Sequence, residues 1–263
     1  SIKFIIQRDC KKIMDKKNVP LILVILDGWG IDKPNEGNAI FLAKTPTMDG
    51  IIRKYPHTKL FAHGKYVGLP NGQVGNSEAG HMNMGAGRLV SQDAVKISKS
   101  IKDGTFFKNS AFLGAIRHVH QMNSTMHLIG MLSNGQSPHS DPGHLSALLD
   151  RMRSHQIEKV YLHLFTDGRD SPKYAALKLV DDLEKYSLNG YKIATIMGRF
   201  YSMDRKKKWS RTEKAYNALV LGRGRKAGSA KDAITESYNR GDSDEFIEPY
   251  IIPGTGSLSN RIA

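Results

Sequence analysis

Cysteine is almost missing from this chain. Cys10 is the single thiol in 263 residues, so no disulfide can close within it, and a reducing compartment is the expected setting. Long apolar runs are missing too. The longest, residues 19–26, contains Pro20 and falls well short of the about 20 residues that span a bilayer. Residues 1–16 carry five Lys or Arg around the brief stretch Phe4-Ile5-Ile6, which argues against a cleaved signal peptide. They read as a poorly ordered leader. Together these absences predict a cytoplasmic protein with no membrane partner. Acidic residues are in deficit, 25 against 39 Lys and Arg, for a formal charge of +14. That surplus suits phosphorylated substrates or a polyanion surface. Neither an extended basic stripe interleaved with aromatics nor a recognisable nucleic-acid module appears; the basic residues cluster instead at 199–211 and 223–231, so nucleic acid is not an expected partner.

What the chain does contain is a strand, polar loop, helix rhythm. Residues 125–132, 160–165 and 192–197 read as apolar strands, each followed by a polar loop and then by helical spacing at 145–155, 173–186 and 211–221. Three such units in succession predict an α/β fold with a mainly parallel sheet. Their loops deliver His139, Arg169, Asp170, Arg199 and Arg205 to one sheet edge, where arginine is well shaped to hold a phosphate or carboxylate. His163 falls inside a strand, where a packed core histidine is expected. Residues 19–26 read as a further strand buried on both faces, which would put Asp27 at its carboxyl end.

The stretch Gly72-Gln73-Val74-Gly75-Asn76-Ser77-Glu78-Ala79-Gly80-His81 sets one serine among glycines at the start of a helical run. Glycine lets the backbone bend and a ligand approach. Asn76 or Ser77 can cap the helix, and the open N–H groups there suit a phosphate or an alkoxide. Asp27 and Ser77 could share a divalent cation that makes the hydroxyl a nucleophile. Such a site takes further His and Asp ligands, and no second set is evident in the sequence.

Four motifs carry a resemblance. Asp27-Gly28-Trp29-Gly30, the run from Gly68-Leu69-Pro70 through Asn76-Ser77-Glu78 to Gly87-Arg88, Phe165-Thr166-Asp167-Gly168-Arg169-Asp170, and Gly198-Arg199-Phe200-Tyr201-Ser202-Met203-Asp204-Arg205 with Trp209 stand in order. Together they resemble the cofactor-independent (2,3-bisphosphoglycerate-independent) phosphoglycerate mutases over about residues 20–252. The resemblance implies an α/β protein in which an incomplete alkaline-phosphatase-like metalloenzyme domain, 17–92, is followed by an inserted α/β transferase domain, 93–263, cut short at its C-terminal end. It implies a glycolytic isomerase that interconverts 3-phosphoglycerate and 2-phosphoglycerate through a phosphoserine. The enzyme would use Mn²⁺ or another divalent cation and no 2,3-bisphosphoglycerate, and would be monomeric at full length. Ser77 would be the nucleophile and a metal ligand, with Asp27 binding the same ion. His139, Arg169, Asp170, Arg199 and Arg205 would hold the substrate.

The sequence also departs from the family. His139 matches the first histidine of the usual Gly-Val-His-Ser-His, but Asp141 stands at the second. Val74 and Ala79 replace the usual Met and Val. Members of the family are much longer, and the later arginine-rich segment and Asp/His clusters are absent from these residues. The expectation is a chain without mutase activity by itself. The alternatives are another alkaline-phosphatase-superfamily enzyme, such as a phosphopentomutase or phosphatase, and a non-catalytic truncated product or anion-binding module that needs a separate C-terminal half.

Overall fold

The computed structural model describes residues 2–3, 21–137, 139–186 and 190–254. The expected leader therefore lies, but for Ile2 and Lys3, outside the described residues. The chain divides into two compact units, Ser1–Gln92 and Asp93–Ala263. No described helix is long and apolar enough to cross a membrane.

The described residues of the first unit have little regular structure. A two-residue strand β1 (Ile2–Lys3) runs antiparallel to β2 (Thr58–Lys59). Helices form at Ala39–Leu42, capped by Asn38, at Pro46–Lys54, where Pro46 opens the first turn, and at Ser77–Ala86. Among its described residues, Val67, Leu69 and Ala79 form a buried apolar cluster. Gly75 lies so close to the preceding chain that a Cβ there would sit 1.7 Å from the Ala62 carbonyl oxygen. No other residue fits.

Of the expected buried strand at 19–26, residues 19–20 lie outside the described residues and 21–26 form no strand. Residues 21–26 have no regular structure, and Leu21 is 93% exposed. A parallel strand needs neighbours on both sides to take its amide and carbonyl groups, and layers on both faces to cover its side chains. Among the described residues of this unit no strand pairs with 21–26. Asp27 thus follows an unpaired apolar stretch instead of closing a central strand.

The second unit is built on a five-stranded sheet in the order β3-β4-β5-β7-β6. Strands β3 (Met126–Leu132), β4 (Val160–Thr166) and β5 (Lys192–Gly198) are parallel. The short β7 (Tyr250–Ile251) lies antiparallel to β5, and β6 (Arg225–Lys226) lies parallel to β7. The three strand, loop, helix units are present, with helices Pro142–Ser154, Ala176–Tyr186 and Trp209–Leu221 in the expected places. The larger core joins Val160, Leu162, Leu164 and Ile196 to Val180 and Ile234 on the covering helices. A smaller one sets Met197 against Ala215 and Ala218 of Trp209–Leu221. Leu132 pairs with Thr166, and Thr166 with Gly198. That register ends the three strands level, so Ser133, Asp167 and Arg199 emerge side by side.

Candidate active site

In the first unit, Asn76 caps the helix Ser77–Ala86 by accepting from the Ala79 amide at 2.9 Å. Capping is thus taken by the neighbour, which leaves the Ser77 hydroxyl to other partners. It donates to Asp27 Oδ2 at 2.7 Å, across fifty positions of sequence. His81 Nδ1 lies 3.1 Å from the same hydroxyl oxygen and 2.8 Å from the Ser77 carbonyl oxygen. A carbonyl only accepts, so Nδ1 carries a hydrogen and the serine proton points to Asp27. Sequence reasoning did not single out His81. The signal was its spacing, since positions four apart share a helix face.

A carboxylate that accepts the hydroxyl proton in a charge-assisted bond draws charge onto Oγ and fixes its rotamer. Both side chains are exposed, so an incoming group can reach them. As a metal centre the pair is incomplete. A divalent Mn, Mg or Zn ion takes about four to six donors, and among the described residues no group of three or more His, Cys, Asp or Glu can hold a metal. The residues present do not by themselves fit the implied Mn²⁺-type ion.

In the second unit a tight network sits where β3, β4 and β5 end, the edge at which sites are built in parallel sheets. Arg199 Nη1 donates to Asp167 Oδ1 and to Asp170 Oδ2, both at 2.6 Å. Asp167 Oδ1 also accepts from the amides of Arg169 and Asp170, and its Oδ2 accepts from Ser171 Oγ at 2.8 Å. Ser137 Oγ, from the loop after β3, donates to Asp170 Oδ2 at 3.2 Å. Burial pushes the Asp167 carboxyl up, but the Arg199 guanidinium, the two amides and the Ser171 hydroxyl outweigh it and hold it below the usual carboxylate range. Burial works against the charge of Arg199 as well, and Asp170 and Asp167 together raise its pKa.

Of the five residues expected at this edge, Arg199 and Asp170 are in direct contact. Arg199 is 7% exposed, and its Nε and Nη2 make no hydrogen bond among the described residues. Arg169 is joined to the network through its amide, and its side chain lies 3.9 Å from Glu245. His139 is exposed, and its amide donates to Ser137 Oγ at 3.2 Å. Arg205 is exposed on the loop after the short helix Arg199–Ser202. The structure joins neither the His139 nor the Arg205 side chain to the Arg199 cluster by a hydrogen bond. Asp141 caps helix Pro142–Ser154, accepting from the Gly143 amide at 2.8 Å.

Asp167 is the residue that sequence reasoning passed over, although it lies inside a quoted motif. Asp244 is another. Its Oδ2 accepts from the amides of Ala175 and Ala176, at 2.8 and 2.9 Å, and its carbonyl accepts from Thr166 Oγ1 at 2.6 Å. Burial raises its pKa. The turn it begins presses against the strand ends. A Cβ on Gly198 would sit 2.2 Å from the Glu245 carbonyl oxygen, and one on Gly168, at φ +64°, 2.5 Å from the Glu245 amide.

Comparison with known proteins adds the following. The sequence pattern of the family described as BPG-independent PGAM N-terminus matches residues 97–263. A 2,3-bisphosphoglycerate-independent phosphoglycerate mutase from Clostridium kluyveri is 51% identical over 241 residues, which cover 91% of this chain and 47% of that protein. One from Methanosarcina barkeri is 49% identical over 242 residues, with the same coverage of 91% and 47%. Among solved structures, a Leishmania mexicana phosphoglycerate mutase studied at low cobalt concentration superposes with a TM-score of 0.81 at 31% identity, covering 90% of this chain and 46% of that one. The chain spans about half the length of the curated relatives it matches.

Proposed function

This chain belongs to the family of 2,3-bisphosphoglycerate-independent phosphoglycerate mutases, and on that premise we propose that it supplies the N-terminal half of an enzyme interconverting 3-phosphoglycerate and 2-phosphoglycerate in glycolysis. The observation that carries this reading is the 2.7 Å hydrogen bond from Ser77 to Asp27, which pairs a hydroxyl nucleophile with an acid at a helix N-terminus. Residues 17–92 are read as part of an alkaline-phosphatase-like domain and 93–263 as the transferase domain.

In the proposed reaction Ser77 Oγ attacks the phosphorus of the bound ester. The Oγ–P bond forms, the bond from phosphorus to the glycerate oxygen breaks, and the departing oxygen takes a proton. The phosphoserine then gives its phosphoryl group to the other hydroxyl of the same glycerate, which restores Ser77. Arg169, Arg199, Arg205, His139 and Asp170 hold the glycerate and its phosphate. Support for this role comes from Arg199, a nearly buried guanidinium whose Nη1 is committed to two carboxylates while Nε and Nη2 stay open for an anion's oxygens. A Mn²⁺-type ion at Asp27 and Ser77 would need donors beyond those the described residues bring to the pair.

It follows that the purified chain should form no 2-phosphoglycerate from 3-phosphoglycerate by phosphorus NMR. Mixing it with a polypeptide equivalent to the remaining half of a relative should start turnover, and Ser77→Ala should abolish it. Turnover by the chain alone would contradict the reading. One observation favours the alternative of a module that needs a separate half: residues 21–26 are exposed, and the buried apolar cluster among the first unit's described residues is only Val67, Leu69 and Ala79.

A further inference from the structure

The loop after Arg199–Ser202 carries Arg205, Lys206, Lys207 and Lys208 in succession, all exposed. Among the described residues none of the four makes an ion pair. Many other cations of the second unit do: Lys214 and Arg225 pair with Glu248, Lys231 with Asp181 and Glu184, and Arg240 with Asp242. Four adjacent unpaired cations repel one another, and the loop is nevertheless held in one shape. Asp204, whose side chain is 2% exposed, accepts from the amides of Lys206 at 3.2 Å and Lys208 at 2.7 Å and pairs with Arg211 at 3.0 Å. Lys207 has φ +56°, a left-handed conformation that glycine adopts at no steric cost and lysine rarely does. A loop that only connected two helices would gain from glycine at that position and from an acid among the lysines. This one keeps the charge and accepts the strain.

Position adds the second part. β5 ends at Gly198, and the helix Arg199–Ser202 that follows is four residues long, about 6 Å. Arg211, which pairs with Asp204, also stacks on Phe200 of that helix, its guanidinium carbon 3.7 Å from the ring centroid, so the loop is tied to the helix that Arg199 opens. Potential from exposed charges reaches about 8–10 Å at physiological ionic strength, and clustered charge beside a site raises the association rate of an oppositely charged ligand by about 10- to 1000-fold.

We propose that Lys206, Lys207 and Lys208, ordered by Asp204, form an electrostatic collector that speeds capture of a phosphorylated hydroxy acid by the Arg199 site. This deepens the function proposed above and rests on it. The lysines act on arrival; they do not hold the bound ligand.

The test is stopped-flow binding of 3-phosphoglycerate to the full chain, followed by fluorescence of Trp209, which adjoins the loop and is 71% exposed. In K206Q/K207Q/K208Q the association rate should fall about tenfold at low ionic strength. The dissociation rate should stay unchanged, and the gap should close at about 0.5 M salt, where screening is nearly complete. K206R/K207R/K208R, which keeps the charge, should associate like the unaltered chain. Circular dichroism and urea midpoints establish that each variant is folded. An unchanged association rate in the glutamine variant would overturn the collector alone, as would a faster dissociation rate with unchanged association. Lysine-dependent binding of a DNA oligonucleotide, without effect on phosphoglycerate association, would assign the loop to a polyanion and also overturn it. Failure of the unaltered chain to bind 3-phosphoglycerate would instead remove the site reading, and this proposal with it.

Discussion

Ser77 and Asp27 are drawn together by the fold of the first unit, and the Ser77 hydroxyl owes its availability to two neighbours: Asn76 takes the capping bond, and His81 turns its Nδ1 hydrogen to the Ser77 carbonyl. A residue with a clear pH consequence is His163, fully buried within β4 between His127 Nδ1 at 2.9 Å and Thr195 Oγ1 at 3.0 Å. Burial, helped by the neighbouring His127, lowers its pKa to about 4, and burial lowers that of His127 as well. An imidazole with a depressed pKa refuses a proton that the unfolded chain accepts from about pH 6.5 downward. Stability should therefore fall as the pH drops from about 6.5 to about 4, with a slope approaching about 1.4 kcal/mol per pH unit for this group. Urea midpoints across that range should show the decline, and His163→Gln should remove part of it. A midpoint that does not move with pH would show that the ring is not held neutral.

Among the elements, the turn Asp244–Phe246 braces the site. It meets Gly168 and Gly198 at backbone distances that exclude a Cβ, and Gly198 N donates to the Ile247 carbonyl at 2.7 Å. Gly198→Ala should force the turn off the end of β5, at a cost of about 1–3 kcal/mol typical of overpacking. Thermal unfolding would measure it, and an unchanged melting temperature would mean that the turn is free to move. Nothing in the order of residues announced this brace, because Asp244 lies far along the chain from the strands it meets. The helices and parallel strands of the second unit were legible, since each combines apolar periodicity with capping or loop residues at its ends. The same apolar pattern predicts a strand through 21–26, where none is formed. Alternating or continuous apolar pattern states what a segment can bury, and whether a neighbour is there to bury it is a tertiary matter.

At the scale of the molecule the two units differ in what holds them. The second unit, Asp93–Ala263, has a large core on one sheet face and a smaller one on the other, whereas among the described residues of the first the buried apolar cluster is Val67, Leu69 and Ala79. So small a core offsets little conformational entropy. Limited proteolysis should cut the first unit early, within residues 21–62, and leave a fragment starting near Asp93. Equal resistance of both units, read by mass spectrometry, would count against this difference. The sequence by itself determined the α/β class, the strand ends that carry Arg199 and Asp170, and the Gly-flanked serine, because those follow from local pattern and residue chemistry. Only the tertiary structure decided that Asp167 and Asp170 share one Arg199 nitrogen, that Asp27 accepts the Ser77 proton, and that 21–26 stays uncovered. Each of these depends on which distant backbone arrives at a given edge, and that is set by packing and register, which local pattern does not encode.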